Sequence, residues 1–239
     1  MSQHAHYFHP DLAHHLCQDF FRNGFLHYPG FLQPQDLTRL REQVISRTAK
    51  QAATLPDEGR WTQRGGGYAL DDLHYYDLFF EDLLSDSRFE QLAGLLLRDR
   101  VQGETLGYVY HPPQSPAGFA PRQDGATLMI APWNALTIWV ALENMDQDTG
   151  CLHYYKGSHL EGMYEHTEGP TGSCLTEPQS VGMGKSAVAF PIKAGDLLVH
   201  HCLTAHWLSH NHSYTRSLRA LRLCYIAERA IVRDSVMIA

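Results

Sequence analysis

Apolar residues in the first hundred positions recur with the spacing of helices that bury one face. Leu12, Leu16 and Phe20 lie four residues apart, and Asp11 precedes them as a candidate N-cap. Similar spacing over 37–45 and 89–96 predicts two further amphipathic helices, with a short strand over 25–28 between the first two. We therefore expect a helical front part over about residues 11–100.

From about residue 105 the pattern changes to short runs of β-prone residues bounded by Gly, Pro and Asn. About eight such strands in ~120 residues predict a jelly-roll core over about residues 105–228. With no linker or repeat, we expect one mainly β domain over 1–239, a double-stranded β-helix with N-terminal α-helices packed around it. The expected strands cover 105–110, 128–130, 135–142, 151–155, 187–191, 196–202, 206–208 and 218–227.

Two stretches, 51–73 and 162–185, fit neither pattern. The second is rich in Gly, Pro, Ser and Thr. Loops this long inside a compact domain are usually lids, binding loops or disordered segments. Each of the two stretches is therefore a candidate for a lid, a binding loop or a disordered segment.

Composition excludes several classes of partner. A formal net charge of −7 argues against a nucleic-acid binder, which usually displays a basic patch. The longest apolar runs are far shorter than the ~20 residues that span a bilayer. The first ten residues lack a secretion signal, and the five cysteines form no CxxC pair, so we expect a cytoplasmic protein with buried free thiols.

Candidate chemistry lies around Asp124 and His206. A non-haem iron oxygenase holds its metal with two histidines and a carboxylate, which leaves positions for co-substrate and O₂. Asp124 and His206 could supply two of these ligands from distant strands of a jelly roll. His200 and His201 are adjacent on one expected strand and face opposite ways, so each is expected to be packed or solvent-facing.

In order along the chain, these segments resemble the phytanoyl-CoA dioxygenase family of Fe(II)- and 2-oxoglutarate-dependent oxygenases. The resemblance begins at Phe20-Phe21-Arg22-Asn23-Gly24-Phe25 and includes Gln123-Asp124-Gly125. It covers nearly the whole chain, through segments 28–32, 134–142, 149–152, 156–159, 195–196, 206, 211–213 and 219–221.

The resemblance implies roles for particular residues. Asp124 would be the metal carboxylate, His206 the distal metal histidine, and Trp139 a wall of the co-substrate pocket. An arginine would bind the distal carboxylate of 2-oxoglutarate as a planar fork. Arg216 and Arg219 both lie near the expected distance after His206. Arg219 is preferred because alternation places it on the strand face of Leu221, Leu223 and Tyr225.

One residue departs from the expected motif: Arg122 stands two positions before Asp124, where the family has its first metal histidine. A protonated guanidinium has no lone pair to donate, so Arg122 is not a ligand. Three outcomes follow: a metal-free site, a site completed by another residue such as His111 or Gln123, or a two-residue site with water. Arg122 is thus the candidate catalytic residue on which the function depends.

The leading hypothesis is a 2-oxoglutarate-dependent oxygenase that oxidises a small organic substrate, with Fe(II) and 2-oxoglutarate as cofactors and the two long loops choosing the substrate. The alternative is a metal-free family member that binds, regulates or catalyses non-oxidative chemistry in the same cavity. The sequence predicts neither the substrate nor the oligomeric state.

Overall fold

The computed structural model describes residues 9–54, 60–62, 66–116, 118–169, 172–176 and 187–232. Within these residues it contains four α-helices and fifteen strands. The helices are α1 (Pro10–Asn23), α2 (Pro34–Ala52), α3 (Leu78–Leu84) and α4 (Ser87–Leu97). The strands are β1 (Phe25–Tyr28), β2 (Arg60–Thr62), β3 (Tyr68–Leu70), β4 (Val101–His111), β5 (Phe119–Arg122), β6 (Ile130–Ala131), β7 (Ala135–Ala141), β8 (Leu152–Tyr154), β9 (His166–Gly169), β10 (Gly172–Leu175), β11 (Val188–Phe190), β12 (Leu197–His201), β13 (His206–Leu208), β14 (Leu218–Ala227) and β15 (Ile231–Val232).

Local capping explains where the helices begin. The side chain of His9 accepts from the backbone N–H of Asp11 at the start of α1, so Asp11 lies in the first turn rather than at the cap. Asp86 caps α4 by accepting from the Arg88 N–H at 2.9 Å. Asp77 caps α3, a helix that the apolar spacing did not predict. Helices α1, α2 and α4 confirm the three that it did.

Two antiparallel sheets form the centre of the fold. The large sheet has the strand order β1-β12-β7-β14-β4-β3-β2, and the small sheet has the order β11-β8-β13-β5. Two further pairs, β9–β10 and β6–β15, lie outside them. This arrangement is the predicted jelly roll, and the eight strands expected after residue 105 all have a counterpart. The counterpart of 128–130 is the two-residue strand β6, which shares only residue 130 with it.

Apolar side chains fill the space on both faces of the large sheet. On one face, Leu221 and Leu223 of β14 pack with Leu92 and Leu96 of α4. On the other face, the two sheets enclose a second layer that includes Trp139, Leu152, Tyr154, Leu208 and Ala220. Side chains of β14 therefore alternate between a helix-facing layer and the interior of the jelly roll.

The two unassigned stretches are partly structured. Strands β2 and β3 lie in 51–73, and the β9–β10 hairpin lies in 162–185. Residues 55–59, 63–65, 170–171 and 177–186 lie outside the described residues, so the lid interpretation stays a prediction. The five cysteines are free thiols; Cys151, Cys202 and Cys224 are buried as expected, whereas Cys17 and Cys174 are only partly buried. Among the described helices none has the length and apolar character needed to cross a membrane.

Candidate metal centre

Asp124 lies at the start of a single 3₁₀ turn that directly follows β5. Its Oδ2 accepts a hydrogen bond from Thr137 Oγ1 at 2.6 Å and lies 2.9 Å from His200 Nε2. Its Oδ1 lies 3.4 Å from His206 Nε2. The next residue, Gly125, donates its N–H to the carbonyl of Cys202 at 2.8 Å, which holds the turn against the segment after β12.

His200 and His206 reach Asp124 from different sheets. His200 of β12 is the direct partner of Thr137 in β7, so both side chains project from the same face of the large sheet. His206 belongs to β13 in the small sheet. Both imidazoles are buried, and their ring centroids are 4.1 Å apart.

Asp124, His200 and His206 form a candidate metal site. One ligand atom from each lies within 4.8 Å of the others, and no other group of three or more such residues meets this condition in the described part of the chain. Two imidazoles and one carboxylate are the ligand set of non-haem Fe(II) oxygenases. His200 is packed, which was one of the two expectations for it, but its Nε2 also lies 2.9 Å from Asp124 Oδ2, and the sequence did not predict this place in the site.

The electrostatics of the cluster suit a cation. Burial alone would raise the pKa of Asp124, but the imidazoles of His206 and His200 and the hydroxyl of Thr137 hold it well below its ordinary value. Burial lowers the pKa of His206 to about 3, so this imidazole is neutral near pH 7. His206 Nδ1–H donates to the Thr204 carbonyl at 2.8 Å, which leaves the Nε2 lone pair facing Asp124.

Arg122 occupies the neighbouring position in the small sheet. It is the direct partner of His206, so both side chains face the interior of the jelly roll. Its guanidinium carbon lies 5.0 Å from the centre of the Phe119 ring, and its Nε–H donates to the Ala120 carbonyl at 3.2 Å. Arg122 is thus beside the candidate metal site, at the place where the motif would put an imidazole.

Trp139 also faces the interior. It is buried in the layer between the sheets, and it is the direct partner of Arg222 in β14. It is not among the described residues that line the cavity beside Asp124. The role in binding a co-substrate stays a prediction.

Neither predicted arginine reaches the Asp124 cluster. Arg219 shares the face of Leu221, as alternation predicted, but that face packs against the helices. There Arg219 Nη1 donates to Glu143 at 2.6 Å, and the guanidinium lies over the Tyr110 ring. Arg216 lies in the segment before β14, is largely exposed and pairs with Asp146 at 2.6 Å.

Arg222 is the interior arginine of β14, and it was not proposed from the sequence. It pairs with Asp71 and lies opposite Gly107 of β4. A Cβ at Gly107 would stand 2.9 Å from Arg222 Nη2 and 2.9 Å from Asp71 Oδ1, so glycine makes room for this ion pair. Three-residue spacing along β14 places Arg219 and Arg222 on opposite faces, and this spacing was the available signal.

A cavity of about 370 Å³ connects these groups. Its walls include Asp124, Thr137, Arg122 and Arg222. This volume is within the range of small-molecule sites. The remaining charged side chains that line it are Asp71, Asp72 and Glu104.

The two alternative ligands named from the sequence serve elsewhere. Gln123 is buried, and its side-chain amide donates to the carbonyls of Gly162 and Leu203 and accepts from the Tyr164 N–H. His111 is buried beside the Phe119 ring, and neither of its ring nitrogens has a partner among the described residues. His111 does not belong to the candidate metal cluster, and the amide of Gln123 is occupied by the three contacts just named.

The fold and the cluster define a jelly-roll protein with a two-histidine, one-carboxylate site. The model of the phytanoyl-CoA dioxygenase (PhyH) family matches residues 20–217, and the chain belongs to this family. It is 28% identical over 130 residues to a phytanoyl-CoA dioxygenase of Arabidopsis thaliana, covering 54% of this chain and 46% of that protein. It is 25% identical over 148 residues to phytanoyl-CoA dioxygenase domain-containing protein 1 of Mus musculus, covering 59% and 50%. The chain thus spans about half the length of these curated relatives.

Solved structures show the same fold. The epimerase SnoN, in complex with Fe³⁺, α-ketoglutarate and nogalamycin RO, superposes with a TM-score of 0.78 at 22% identity, covering 96% of this chain and 89% of SnoN. EctD from S. alaskensis with bound Fe superposes with a TM-score of 0.75 at 19% identity, covering 95% and 79%. These likenesses confirm the predicted fold class.

Proposed function

We propose that this protein is an Fe(II)- and 2-oxoglutarate-dependent oxygenase that hydroxylates or otherwise oxidises a small organic substrate. The observation that carries the proposal is the convergence of Asp124, His200 and His206. His200 supplies the second imidazole that Arg122 cannot supply. Membership of the phytanoyl-CoA dioxygenase family and structural neighbours crystallised with iron and α-ketoglutarate support the choice of metal and co-substrate.

The residues present fit a divalent ion. Asp124 is anionic, His206 is neutral with its Nε2 directed at the site, and His200 directs its own Nε2 at the same carboxylate. When bound, iron and 2-oxoglutarate would couple oxidation of the substrate to decarboxylation of the oxo-acid. Three protein ligands leave the remaining coordination positions to small molecules.

The cavity beside Asp124 is our candidate for the co-substrate pocket. Arg222 replaces Arg219 and Arg216 as the proposed partner of the distal carboxylate, because it faces this cavity and they do not. Trp139, the cross-strand partner of Arg222, would support the wall of this cavity from the layer between the sheets. The segments 51–73 and 162–185 would choose the substrate. Free cysteines, three of them buried, agree with a reducing compartment, so we propose a cytoplasmic reaction.

The positive charge of Arg122 beside Asp124 favours a second candidate function. A fixed cation beside Asp124 opposes a divalent ion and could pair with an anionic ligand instead. A metal-free family member would then bind or transform a small anion in the same cavity. Metal binding separates the two functions.

The deciding experiment measures binding of Mn(II), a redox-stable stand-in for Fe(II), by calorimetry. We expect one site in the wild type and a loss of at least about tenfold in affinity in His200→Gln, because one ligand of three is removed. His201→Gln is the matched control, since His201 faces away from Asp124 toward Phe20. It should bind Mn(II) like the wild type.

Activity is then tested by succinate formation from 2-oxoglutarate under air with Fe(II). Iron-dependent succinate in the wild type, lost in His200→Gln, supports the oxygenase. A wild type that binds no metal, or a His200→Gln variant that binds it normally, would exclude the proposed site and leave the metal-free function.

A further inference from the structure

Two guanidinium groups converge on one aromatic ring in the interior of the jelly roll. The guanidinium carbons of Arg122 and Arg222 lie 5.0 and 5.7 Å from the centre of the Phe119 ring. Arg122 extends from β5 in the small sheet, whereas Arg222 extends from β14 in the large sheet. Both line the cavity that also contains Asp124.

Two guanidiniums in a partly buried cavity repel each other, and the carboxylates that line the cavity, Asp71 and Asp124 among them, offset this repulsion. Asp71 pairs with one terminal nitrogen of Arg222, but a guanidinium carries five donors. The Nε–H of Arg222 is buried and has no acceptor among the described residues. This buried donor of Arg222 points to a hydrogen-bond acceptor that a ligand supplies.

The other arginines near this end of the fold are committed elsewhere. Arg219 donates to Glu143, and Arg216 pairs with Asp146, both away from the cavity. On the interior face of β14, the positions before Arg222 are the apolar Leu218 and Ala220. Arg122 and Arg222 are the two basic residues among the described lining of the cavity.

We propose that Arg122 and Arg222 together bind the distal carboxylate of a 2-oxo dicarboxylate whose oxo-acid end reaches the metal. This inference rests on the proposed function and adds to it a role for Arg122. Arginine in place of the family's histidine at position 122 then has two consequences. His200, from the neighbouring sheet, serves as the second histidine ligand of the metal, and the guanidinium of Arg122 binds the co-substrate.

The acidic residues of the cavity set a condition on this binding. Asp71, Asp72, Glu104 and Asp124 line it, and their four carboxylates are matched by two guanidiniums and one divalent ion. Binding of the dicarboxylate is therefore expected to be stronger in the metal-loaded protein. We call the pair of Arg122 and Arg222 around one carboxylate the clamp. It is best tested by the preference of the protein between two ligands that differ in one carboxylate.

The experiment compares 2-oxoglutarate with 2-oxopentanoate, which has a methyl group in place of the distal carboxylate. Dissociation constants are measured by calorimetry on Mn(II)-loaded protein. We expect the wild type to prefer 2-oxoglutarate by at least about tenfold, since charge-assisted hydrogen bonds are the stronger polar contacts. Arg122→Gln and Arg222→Gln should each lose most of this preference and bind 2-oxopentanoate as the wild type does.

Two variants control for folding and for charge. Arg219→Gln removes a half-buried arginine from the opposite face of β14 and should keep the preference. Arg122→Lys keeps a cation without the planar fork and should recover part of it. Thermal unfolding of each variant verifies that the fold is retained.

The same pair of ligands is also measured without metal. Failure to bind Mn(II) would exclude the proposed oxygenase, and the clamp would then be judged by the preference in metal-free protein. Equal affinity for the two ligands in the wild type, with and without metal, would overturn the clamp. So would a preference that survives in both Arg122→Gln and Arg222→Gln.

Discussion

At the residue scale, the two candidate metal histidines differ in what holds their second ring nitrogen. His206 Nδ1–H donates to a backbone carbonyl, which fixes one tautomer. His200 Nδ1 lies 3.0 Å from the hydroxyl of Tyr154, a group that can donate or accept. Tyr154 can therefore serve both tautomers of His200. With Nε2–H directed to Asp124 the phenol donates to Nδ1, and with Nε2 on a metal the phenol accepts from Nδ1–H.

This geometry predicts that Tyr154→Phe weakens metal binding without removing a ligand. Tyr154 is fully buried, so the variant leaves the Nδ1 of His200 without a partner. We expect Mn(II) affinity to fall by about tenfold to a hundredfold, the usual effect of losing a hydrogen bond to a ligating histidine. Competition with a chelator of known affinity gives the measurement.

Tyr155→Phe is the control, because the next residue points away from His200 and lies in a separate apolar cluster with Leu175 and Ala205. Its metal affinity should equal that of the wild type. Unchanged affinity in Tyr154→Phe would show that the phenol does not orient His200.

Arg122 illustrates what residue identity alone can predict. The sequence established that a guanidinium stands where an imidazole is expected, and chemistry excluded it as a ligand. It did not identify the replacement, because His200 and His201 are equivalent in an alternating pattern until one face is assigned. Only the pairing of His200 with Thr137, and of Arg122 with His206, shows which face each occupies.

At the scale of elements, β7 and β14 explain why the sequence did not show which face of each strand packs against the helices and which faces the interior of the jelly roll. Every residue of β7 is buried, and β14 is buried except for partial exposure of its two arginines. Strands covered on both faces lose the apolar–polar alternation that marks the core side. The sequence therefore predicted the strands and the relative face of Arg219 correctly, but not that this face packs against helices.

The short strands were missed for a different reason. Strand β5 is four residues long and contains Pro121, which disfavours a strand prediction. It is nevertheless the strand that delivers both Arg122 and Asp124. The hairpin β9–β10 lies in a segment whose Gly and Ser content is typical of a loop.

The side chain of Gln123 connects this hairpin to the candidate metal site, and its replacement should destabilise both regions. The side-chain amide makes three hydrogen bonds, to Gly162, Leu203 and Tyr164, with distances of 2.7 to 2.8 Å. Gln123→Leu removes them from a buried position, at a cost of about 1 kcal/mol or more for each bond. We expect the free energy of unfolding to fall by about 3 kcal/mol, measured by urea denaturation.

Hydrogen exchange localises the effect. The amide of Tyr164, which donates to Gln123, should exchange faster in Gln123→Leu, whereas amides paired between β4 and β14 should keep their order of protection. Uniform loss of protection across both regions would contradict a local role for Gln123 in fixing the start of the hairpin.

At the scale of the whole molecule, the candidate metal site joins the two sheets. His206 belongs to the small sheet and Asp124 follows its edge strand, whereas His200 belongs to the large sheet. A histidine at position 122 would have placed all three ligands on or beside the small sheet. Replacing it with His200 makes the bound ion a link across the interior of the jelly roll.

Metal should therefore stabilise the fold as a whole. An ion that binds the folded state alone adds about 2.7 kcal/mol at a hundred times its dissociation constant. For a chain of this size that corresponds to a rise of about 5–10 °C in Tm. Mn(II) at that excess should produce this rise in the wild type, and chelation with EDTA should reverse it.

The variants test whether the link crosses the sheets. Removing His200 leaves Asp124 and His206, both associated with the small sheet, so His200→Gln should lose most of the Tm rise. In hydrogen exchange, Mn(II) should slow the amides of β12 together with those of β13 in the wild type, but neither strand in His200→Gln. Slowing confined to β13 would show that the ion is held by the small sheet and that His200 is not a ligand. Slowing of both strands requires the ion to hold the two sheets together, because no other group of potential ligands among the described residues spans them.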